Sequence, residues 1–298
     1  VAIMMLVDAG QLSLDDEVTR FLPALSALKT PAGQPARISI RHLLTHTSGM
    51  GEFSSADEAR SALTLADAVA LYAQKPLHFA PGEKWSYCQS SINTAGRVVE
   101  VISGQSLPEF LEQRLFQPLG MRDTSFYLTG EQSARLATPY SAQNGQLDVA
   151  EIYMLNGKKP TDRDRFPAAN GGLFSTAPDY ARFCQMLLRD GQWEGKQILS
   201  AAAVKQMTSI HTGELTTGFT PGNGWGIGCC VVRQPQGVTE MLSPGSFGHG
   251  GAYGTQAWID PGKRVAYVLM VQRANFPNAD ASDLRREFQD AAAAALGR

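Results

Sequence analysis

The sequence has few charged residues for its length. Of its 298 residues 18% are charged, against about 25% in a typical globular protein. Its 26 Lys and Arg nearly balance its 28 Asp and Glu, for a net charge of -2. Proteins that bind nucleic acids or anionic membranes concentrate Lys and Arg on one surface, and the sequence has no such cluster. No nucleic-acid partner is therefore expected.

Cysteine and long apolar runs are also scarce. Four cysteines occur and form no C-x-x-C pair: Cys88, Cys184, Cys229 and Cys230. Adjacent cysteines such as the last two rarely bridge each other, so no disulfide framework is expected and the redox compartment stays open. No apolar run approaches the roughly 18 to 20 residues of a membrane span, so no spanning helix is expected.

The hydrophobic pattern changes period along the chain. A period near 3.6 predicts helices over 64–73, 91–103, 107–115, 178–189, 200–209 and 284–296. Alternation predicts strands over 226–232, 252–259 and 265–271, with a hairpin turn at 260–263 between the last two. The polar stretch 128–168 is expected to wrap over a surface or form a lid. Helices followed by antiparallel strands and a last helix predict an α+β fold.

The first ten residues resemble the middle of a helix. Apolar residues fill positions 1–7 without an N-cap or a basic n-region, and Gly10 is a plausible helix end. We interpret the sequence as a fragment that opens inside a helix. A mature N-terminus left by signal cleavage is the alternative, but such a terminus is normally exposed.

Two short motifs resemble a metal-binding site and a catalytic motif, but both have a better explanation. His42 and His46 have the i, i+4 spacing of a zinc-binding helix, but Leu43 stands where a zinc protease needs its glutamate and no third ligand is near. We interpret both histidines as capping and packing residues and expect no metal or other cofactor. The single S-x-x-K, Ser26 to Lys29, precedes T-P-A-G, which cannot continue a helix, so we interpret it as a chance match.

Two segments are candidates for chemistry. Tyr87 lies in a loop just before a predicted helix, whose positive N-terminus would favour the phenolate. A buried, hydrogen-bonded tyrosine is the alternative. Around His249, four glycines within 247–254 would let the backbone approach a ligand closely. A glycine-rich entry to a strand explains the same pattern. No G-x-S-x-G motif occurs, which excludes the nucleophile elbow of the α/β-hydrolases.

Six motifs in order resemble a known family. They are L-S-L-D-D at 12–16, I-R-H-L-L-T-H-T-S-G at 40–49, P-G-E-K-W-S-Y at 81–87, L-G-M-R-D-T at 119–124, G-G-L-F-S-T at 171–176 and H-G-G at 249–251. Together they resemble the serine β-lactamase-related superfamily, in the branch of class C β-lactamases, DD-peptidases and family VIII carboxylesterases. The resemblance implies an antiparallel sheet flanked by helices plus an all-helical lobe, with the active site between them. It places 1–37 and 171–298 in the α/β lobe and 38–170 in the mainly helical lobe.

The resemblance also assigns roles to matching residues. Tyr87 matches the tyrosine of the Y-x-N motif, which helps activate the serine and passes a proton to the leaving group. Gln89 stands where that motif has asparagine. His249, Gly250 and Gly251 match the third motif, K-T-G in β-lactamases and H-x-G in many esterase-like members. Ala252 would then lend its backbone N–H to the oxyanion hole. The first ten residues match the helix that carries S-x-x-K, so the nucleophilic serine and its lysine are expected upstream of Val1.

The leading hypothesis is a serine hydrolase that acts through an acyl-enzyme on small carboxylic esters. His249 and Gln89 in place of lysine and asparagine both weaken a match built for the carboxylate of a β-lactam. β-Lactamase or D-alanyl-D-alanine peptidase activity is one alternative. A non-catalytic binding module that keeps the groove without the nucleophile is another. The resemblance slightly favours a periplasmic or secreted protein over a cytoplasmic one, and the sequence leaves the oligomeric state open.

Overall fold

A computed structural model describes residues 1–218, 220–276 and 279–297. Helices and antiparallel strands are both present, as the sequence predicts, and every predicted helix forms within three residues of its expected start. The α-helices are α1 Ala2–Asp8, α2 Ile40–Leu44, α3 Ala56–Ser61, α4 Leu65–Tyr72, α5 Gln89–Ser103, α6 Leu107–Leu111, α7 Gln117–Leu119, α8 Gly130–Ala134, α9 Ala177–Leu188, α10 Ala201–Met207 and α11 Asp283–Ala295. A π-helical turn, Glu112–Phe116, joins α6 to α7.

Local capping fixes most of these helix starts. Ser39, Thr64 and Ser106 each accept a backbone N–H three residues ahead and complete a capping box. Helix α5 begins two residues earlier than its hydrophobic pattern predicts, and it ends at Gly104, whose φ of 69° suits glycine. No described helix is long and apolar enough to cross a bilayer.

The strands form one large sheet and two small ones. They are β1 Tyr140–Gln143, β2 Gln146–Val149, β3 Gln192–Trp193, β4 Lys196–Gln197, β5 Asn223–Trp225, β6 Cys230–Val232, β7 Phe247–Gly250, β8 Gln256–Asp260, β9 Val265–Leu269 and β10 Arg273–Ala274. The large sheet has the antiparallel order β5-β6-β7-β8-β9, and β10-β1-β2 forms a second sheet. The turn at 260–263 joins β8 to β9, as predicted.

Two predicted strands are wrong in detail, and the predicted surface stretch contains regular structure. The predicted strand 226–232 is a hairpin, because residues 226–229 turn between β5 and β6. The predicted strand 252–259 begins only at β8, and the glycine-rich residues before it form β7 and a turn. The polar stretch 128–168 contains α8 and the hairpin of β1 and β2, which periodicity missed because that hairpin is mostly exposed.

The large sheet separates two hydrophobic cores. On β8, Ile259 joins the larger core with the helices, while its neighbour Trp258 joins a smaller core with Trp225 and Tyr267. This alternation follows from the two-residue period of a strand. Helix α9 packs on the strands β8 and β9. All four cysteines are buried free thiols, in line with the expectation of no disulfide framework.

Candidate active site

One large cavity joins the two candidate segments of the sequence. It has a volume of about 1420 Å³, and its wall includes Tyr87 and Gln89 from the start of α5. Across from them, His249 and Gly250 of β7 and the turn that follows, with Gly251 and Ala252, line the same space. All six residues to which the family resemblance assigns a role therefore lie on one cavity wall, although they are far apart in sequence.

Tyr87 is held by other aromatic rings. Its ring centroid lies 4.4 Å from that of His46, 5.7 Å from that of His249 and 6.4 Å from that of Trp225. Burial raises the pKa of the Tyr87 phenol to about 12, with the negative charges of Asp280 and Glu52 adding to the effect. The resting group is therefore a phenol, which agrees with the alternative of a buried tyrosine rather than with a phenolate.

Glu52 explains why the helix does not favour the phenolate. Helix α5 has no capping bond from the side chain of its N-cap, Cys88. Instead the carboxylate of Glu52 accepts the backbone N–H of Gln89 at 2.5 Å and that of Ser90 at 3.1 Å. A carboxylate at a helix N-terminus offsets the positive end of the helix dipole. No local sequence pattern indicates this contact, because Glu52 lies 37 positions from Gln89.

His249 lies in the centre of the large sheet. Strand β7 pairs with both β6 and β8, so its backbone is fixed from two sides. The His249 ring meets Trp225 edge to face, with centroids 5.4 Å apart and planes at 89°. Its Nδ1 contacts the carbonyl oxygen of Gly250. These contacts orient the imidazole toward the same cavity that Tyr87 lines.

The turn after β7 leaves more than one backbone donor without a partner among the described residues, and the N–H of Ala252 is one of them. Gly251 donates its N–H to the Thr255 carbonyl at 2.7 Å, and Gly254 donates to the Gly251 carbonyl at 2.9 Å. The N–H of Ala252, between them, meets no acceptor among the described residues. A backbone N–H on a cavity wall can bind a developing oxyanion, which is worth about 3 to 4 kcal/mol of transition-state stabilisation per donor.

A second amide pairs with Gln89. The side chain of Asn170 donates from Nδ2 to Oε1 of Gln89 at 3.0 Å, and both residues line the cavity. Asn170 comes directly before Gly171 in the G-G-L-F-S-T motif, and its polar side chain beside two glycines was a signal that sequence reasoning did not use. Two amides therefore stand where the family's Y-x-N motif has one.

The aromatic rim of the cavity involves the polar stretch that was expected to wrap or cover a surface. The rings of Tyr153 and Tyr253 stack with centroids 5.7 Å apart and planes at 13°. The hydroxyl of Tyr253 accepts the backbone N–H of Tyr153 at 2.9 Å and donates to the Glu151 carbonyl at 3.1 Å. These bonds attach the stretch to the turn that carries Ala252.

The two histidines of the H-L-L-T-H segment do not share a helix face. His42 is the third residue of α2, and its Nδ1 accepts the backbone N–H of Ser39 at 3.2 Å, which is the capping role we expected. Helix α2 ends at Leu44, so His46 lies beyond it with a φ of 58°. His46 is buried, as expected of a packing residue, but it also lines the cavity beside Tyr87.

We expect His46 to make the protein less stable in acid. Burial, with a smaller contribution from the nearby His249, lowers the pKa of His46 from 6.5 to about 3. Between these pH values the unfolded chain binds a proton at this residue and the folded chain does not, so the free energy of unfolding falls as the pH falls. Urea unfolding measures the free energy of unfolding of the wild type and of His46→Asn. The difference between these two free energies should change by about 1.4 kcal/mol per pH unit between pH 6 and 4. A difference that does not depend on pH would contradict the assignment.

The S-x-x-K match at 26–29 lies outside the site. Ser26 lies in a 3-10 helix, Pro23–Ala27, and neither it nor Lys29 lines the cavity. This position agrees with the interpretation of that S-x-x-K as a chance match. Within the described ranges, no three His, Cys, Asp or Glu side chains come together as a metal site.

Comparisons with known proteins agree on one family. The family model named Beta-lactamase matches residues 1–292. Esterase EstB of Burkholderia gladioli is 28% identical over 92% of this chain and 74% of EstB. A putative D-alanyl-D-alanine carboxypeptidase of Escherichia coli K12 is also 28% identical, over 94% of this chain and 67% of that protein.

A solved structure gives the same result for the fold. EstCE1, described as a hydrolase with promiscuous acyltransferase activity, is 26% identical to this chain and superposes with a TM-score of 0.80. The match covers 97% of this chain and 79% of EstCE1.

Proposed function

The chain belongs to the Beta-lactamase family, and from this premise we propose that it is a serine hydrolase that transfers acyl groups from small carboxylic esters. One observation carries the proposal. Tyr87 and His249 line one cavity with ring centroids 5.7 Å apart, and the same cavity is lined by Ala252, whose N–H meets no acceptor among the described residues. A proton donor, a polar ring and an oxyanion donor are thus held by rigid elements around one space.

The proposed reaction has two steps. A serine oxygen attacks the ester carbonyl, and its proton passes to the Tyr87 oxygen as the phenol gives its own proton to the lysine. The carbonyl oxygen becomes an oxyanion held by Ala252 N–H. The C–O bond to the alcohol then breaks, and the phenol of Tyr87 gives the alcohol its proton. Water attacks the acyl carbon by the same route, which releases the acid and restores the serine. By the family resemblance, the serine and lysine are those of an S-x-x-K motif.

The high pKa of Tyr87 suits the release of the leaving group, in which the phenol donates its proton. A phenol with a pKa of about 12 stays protonated at neutral pH, so it can donate to a leaving alkoxide. It would remove a proton from serine only in concert with the basic lysine of the motif. The resting enzyme therefore uses Tyr87 as a proton carrier between the two oxygens, rather than as a preformed phenolate.

The charges on the cavity wall favour a neutral ester over a carboxylate-bearing substrate. Among the described lining residues, Arg135 is the one Lys or Arg, and both of its Nη atoms contact the carboxylate of Asp123. Glu151 and Asp280 also line the cavity. A β-lactam or a D-alanyl-D-alanine peptide would bring its own carboxylate to a wall with more negative than positive charge, and a buried carboxylate without a partner is costly.

Two chromogenic substrates test this proposal. We expect the protein as encoded by its gene to hydrolyse p-nitrophenyl butyrate with a kcat/KM at least about 100-fold above that for nitrocefin, a difference of about 2.7 kcal/mol in transition-state binding. Strong nitrocefin turnover without ester cleavage would overturn the ester assignment. It would favour the β-lactamase or peptidase alternative, to which the carboxypeptidase relative also belongs.

A further inference from the structure

His46 accepts hydrogen bonds from the residues on both sides of Tyr87, the proposed proton carrier. Its backbone carbonyl accepts the N–H of Ser86 at 3.0 Å, and its side-chain Nδ1 accepts the N–H of Cys88 at 3.1 Å. The two donors are the residues immediately before and after Tyr87. One residue therefore holds both ends of the three-residue segment that presents the phenol to the cavity.

The imidazole of His46 also packs on the phenol ring itself. The two centroids lie 4.4 Å apart with planes at 35°, which is closer than the contacts of Tyr87 with the described rings of Trp85, Trp225 and His249. Trp225 meets the His46 ring from another side at 5.1 Å, and the His46 side chain is 2% exposed. The His46 ring has little room to rotate, so a change in its position would move the Tyr87 ring that packs on it.

The hydrogen bonds also determine the tautomer of His46. Nδ1 lies near both the N–H and the carbonyl oxygen of Cys88, at 3.1 and 3.2 Å. Because a backbone N–H always carries its hydrogen, Nδ1 is the acceptor and the ring proton is on Nε2. The imidazole is neutral, and it contributes an acceptor and a surface to the segment rather than a charge.

His46 keeps this position at a cost in backbone conformation. Its φ of 58° lies in the left-handed region, which non-glycine residues seldom adopt. Such conformations persist where the surrounding structure holds them, and they often accompany functional sites. The sequence predicts only capping and packing for the H-L-L-T-H segment. The backbone conformation of His46 indicates that this residue has a further role.

We propose that His46 is a positioning residue, which fixes the phenol of Tyr87 relative to His249 by holding the segment 86–88 and packing on the Tyr87 ring. The proposal rests on the proposed function for its catalytic consequence. His46 does not exchange protons with substrate; it sets where the Tyr87 oxygen lies. A misplacement of about 1 Å in a reacting group can lower a rate about 100-fold.

Two substitutions separate the acceptor from the ring. Asparagine tolerates a positive φ, and its side-chain oxygen can accept the Cys88 N–H much as Nδ1 does, so His46→Asn keeps the acceptor and loses the ring. His46→Gly also suits the backbone but loses both groups. His42→Asn is the matched control, because His42 likewise accepts a backbone N–H through Nδ1 and does not line the cavity.

The kinetic result expected is a difference in kcat at nearly constant KM. With p-nitrophenyl butyrate, His46→Gly should lower kcat about 100-fold, His46→Asn should stay within about fivefold of the wild type, and His42→Asn should match the wild type. Equal kcat for folded His46→Gly and wild type would overturn the proposal. A loss that is the same in His46→Gly and His46→Asn would overturn the holding of the segment 86–88 by the Nδ1 acceptor and would leave the positioning to the ring contact alone.

A spectroscopic measurement that needs no substrate turnover tests the positioning role of His46 independently of the proposed function. Fluorotyrosine introduced at position 87 reports the surroundings of the phenol through its fluorine resonance. We expect one narrow, shifted signal in the wild type and in His46→Asn, and a signal that broadens or moves to the solvent-exposed value in His46→Gly. An unchanged signal in His46→Gly would overturn the positioning role even if the protein hydrolyses no ester. A changed signal without ester turnover would refute the proposed function alone.

Discussion

Tyr87→Phe is expected to lower kcat for p-nitrophenyl butyrate by about 10²- to 10⁴-fold, the range that a general acid or base contributes. The substitution removes one hydroxyl and keeps the ring contacts with His46 and His249. The fold should therefore remain, and KM should change little. Steady-state kinetics and thermal unfolding on the same preparation measure the two effects.

The control for this prediction is Tyr72→Phe. Tyr72 is also buried and its hydroxyl accepts a hydrogen bond from Asn93 at 3.1 Å, but it does not line the cavity. Its substitution should lower stability by about 1 kcal/mol, the usual worth of one hydrogen bond, and leave kcat unchanged. Full activity in Tyr87→Phe would remove Tyr87 from the mechanism.

Gly248→Ala is expected to destabilise the protein by about 3 kcal/mol or more and to abolish ester hydrolysis. A β-carbon at this position would collide with the carbonyl oxygen of Ala257 and lie 2.8 Å from the Cα of Trp258, both on the paired strand β8. Backbone atoms cannot move aside as a flexible side chain can, so β7 and β8 would have to separate. His249 follows Gly248 directly and would move with the strand.

Gly130→Ala is the matched control for that substitution. Gly130 is the first residue of α8, and an added β-carbon there meets nothing within 4 Å. Because alanine favours helix over glycine, the variant should unfold at the wild-type temperature or slightly above it, with unchanged kcat. Differential scanning calorimetry of both variants measures the effect. A Gly248→Ala variant as stable as Gly130→Ala would contradict the strand geometry.

Much of the fold could be predicted because its signals are local. The capping of α4 by Thr64 and the turn between β8 and β9 involve residues that are neighbours in sequence. Strand β7 was missed because three of its four residues are glycine or histidine, which carry no hydrophobic alternation. Its place in the centre of the sheet comes from pairing with β6 and β8, which a local pattern does not contain.

The site was predictable only in part for the same reason. The motifs around Tyr87 and His249 pointed to the residues that line the cavity, and the geometry brings them together. The sequence left a phenolate and a buried phenol at Tyr87 as alternatives, and burial together with the carboxylate of Glu52, far away in sequence, favours the phenol. Asn170 reaches Gln89 from 81 positions away, a contact that no local pattern records.

The position of the bound acyl group is the most direct test of the proposed active site. The protein as encoded by its gene can be treated with a fluorophosphonate, which forms a serine O–P bond and releases fluoride, and the crystal structure of the adduct then shows the site. We expect the phosphoryl oxygen about 2.7 to 3.1 Å from the backbone N of Ala252, with the phenol of Tyr87 and the ring of His249 beside the phosphorus. Absence of any serine adduct, or an adduct outside the cavity that Tyr87 and His249 line, would contradict the assignment of this cavity as a hydrolase active site.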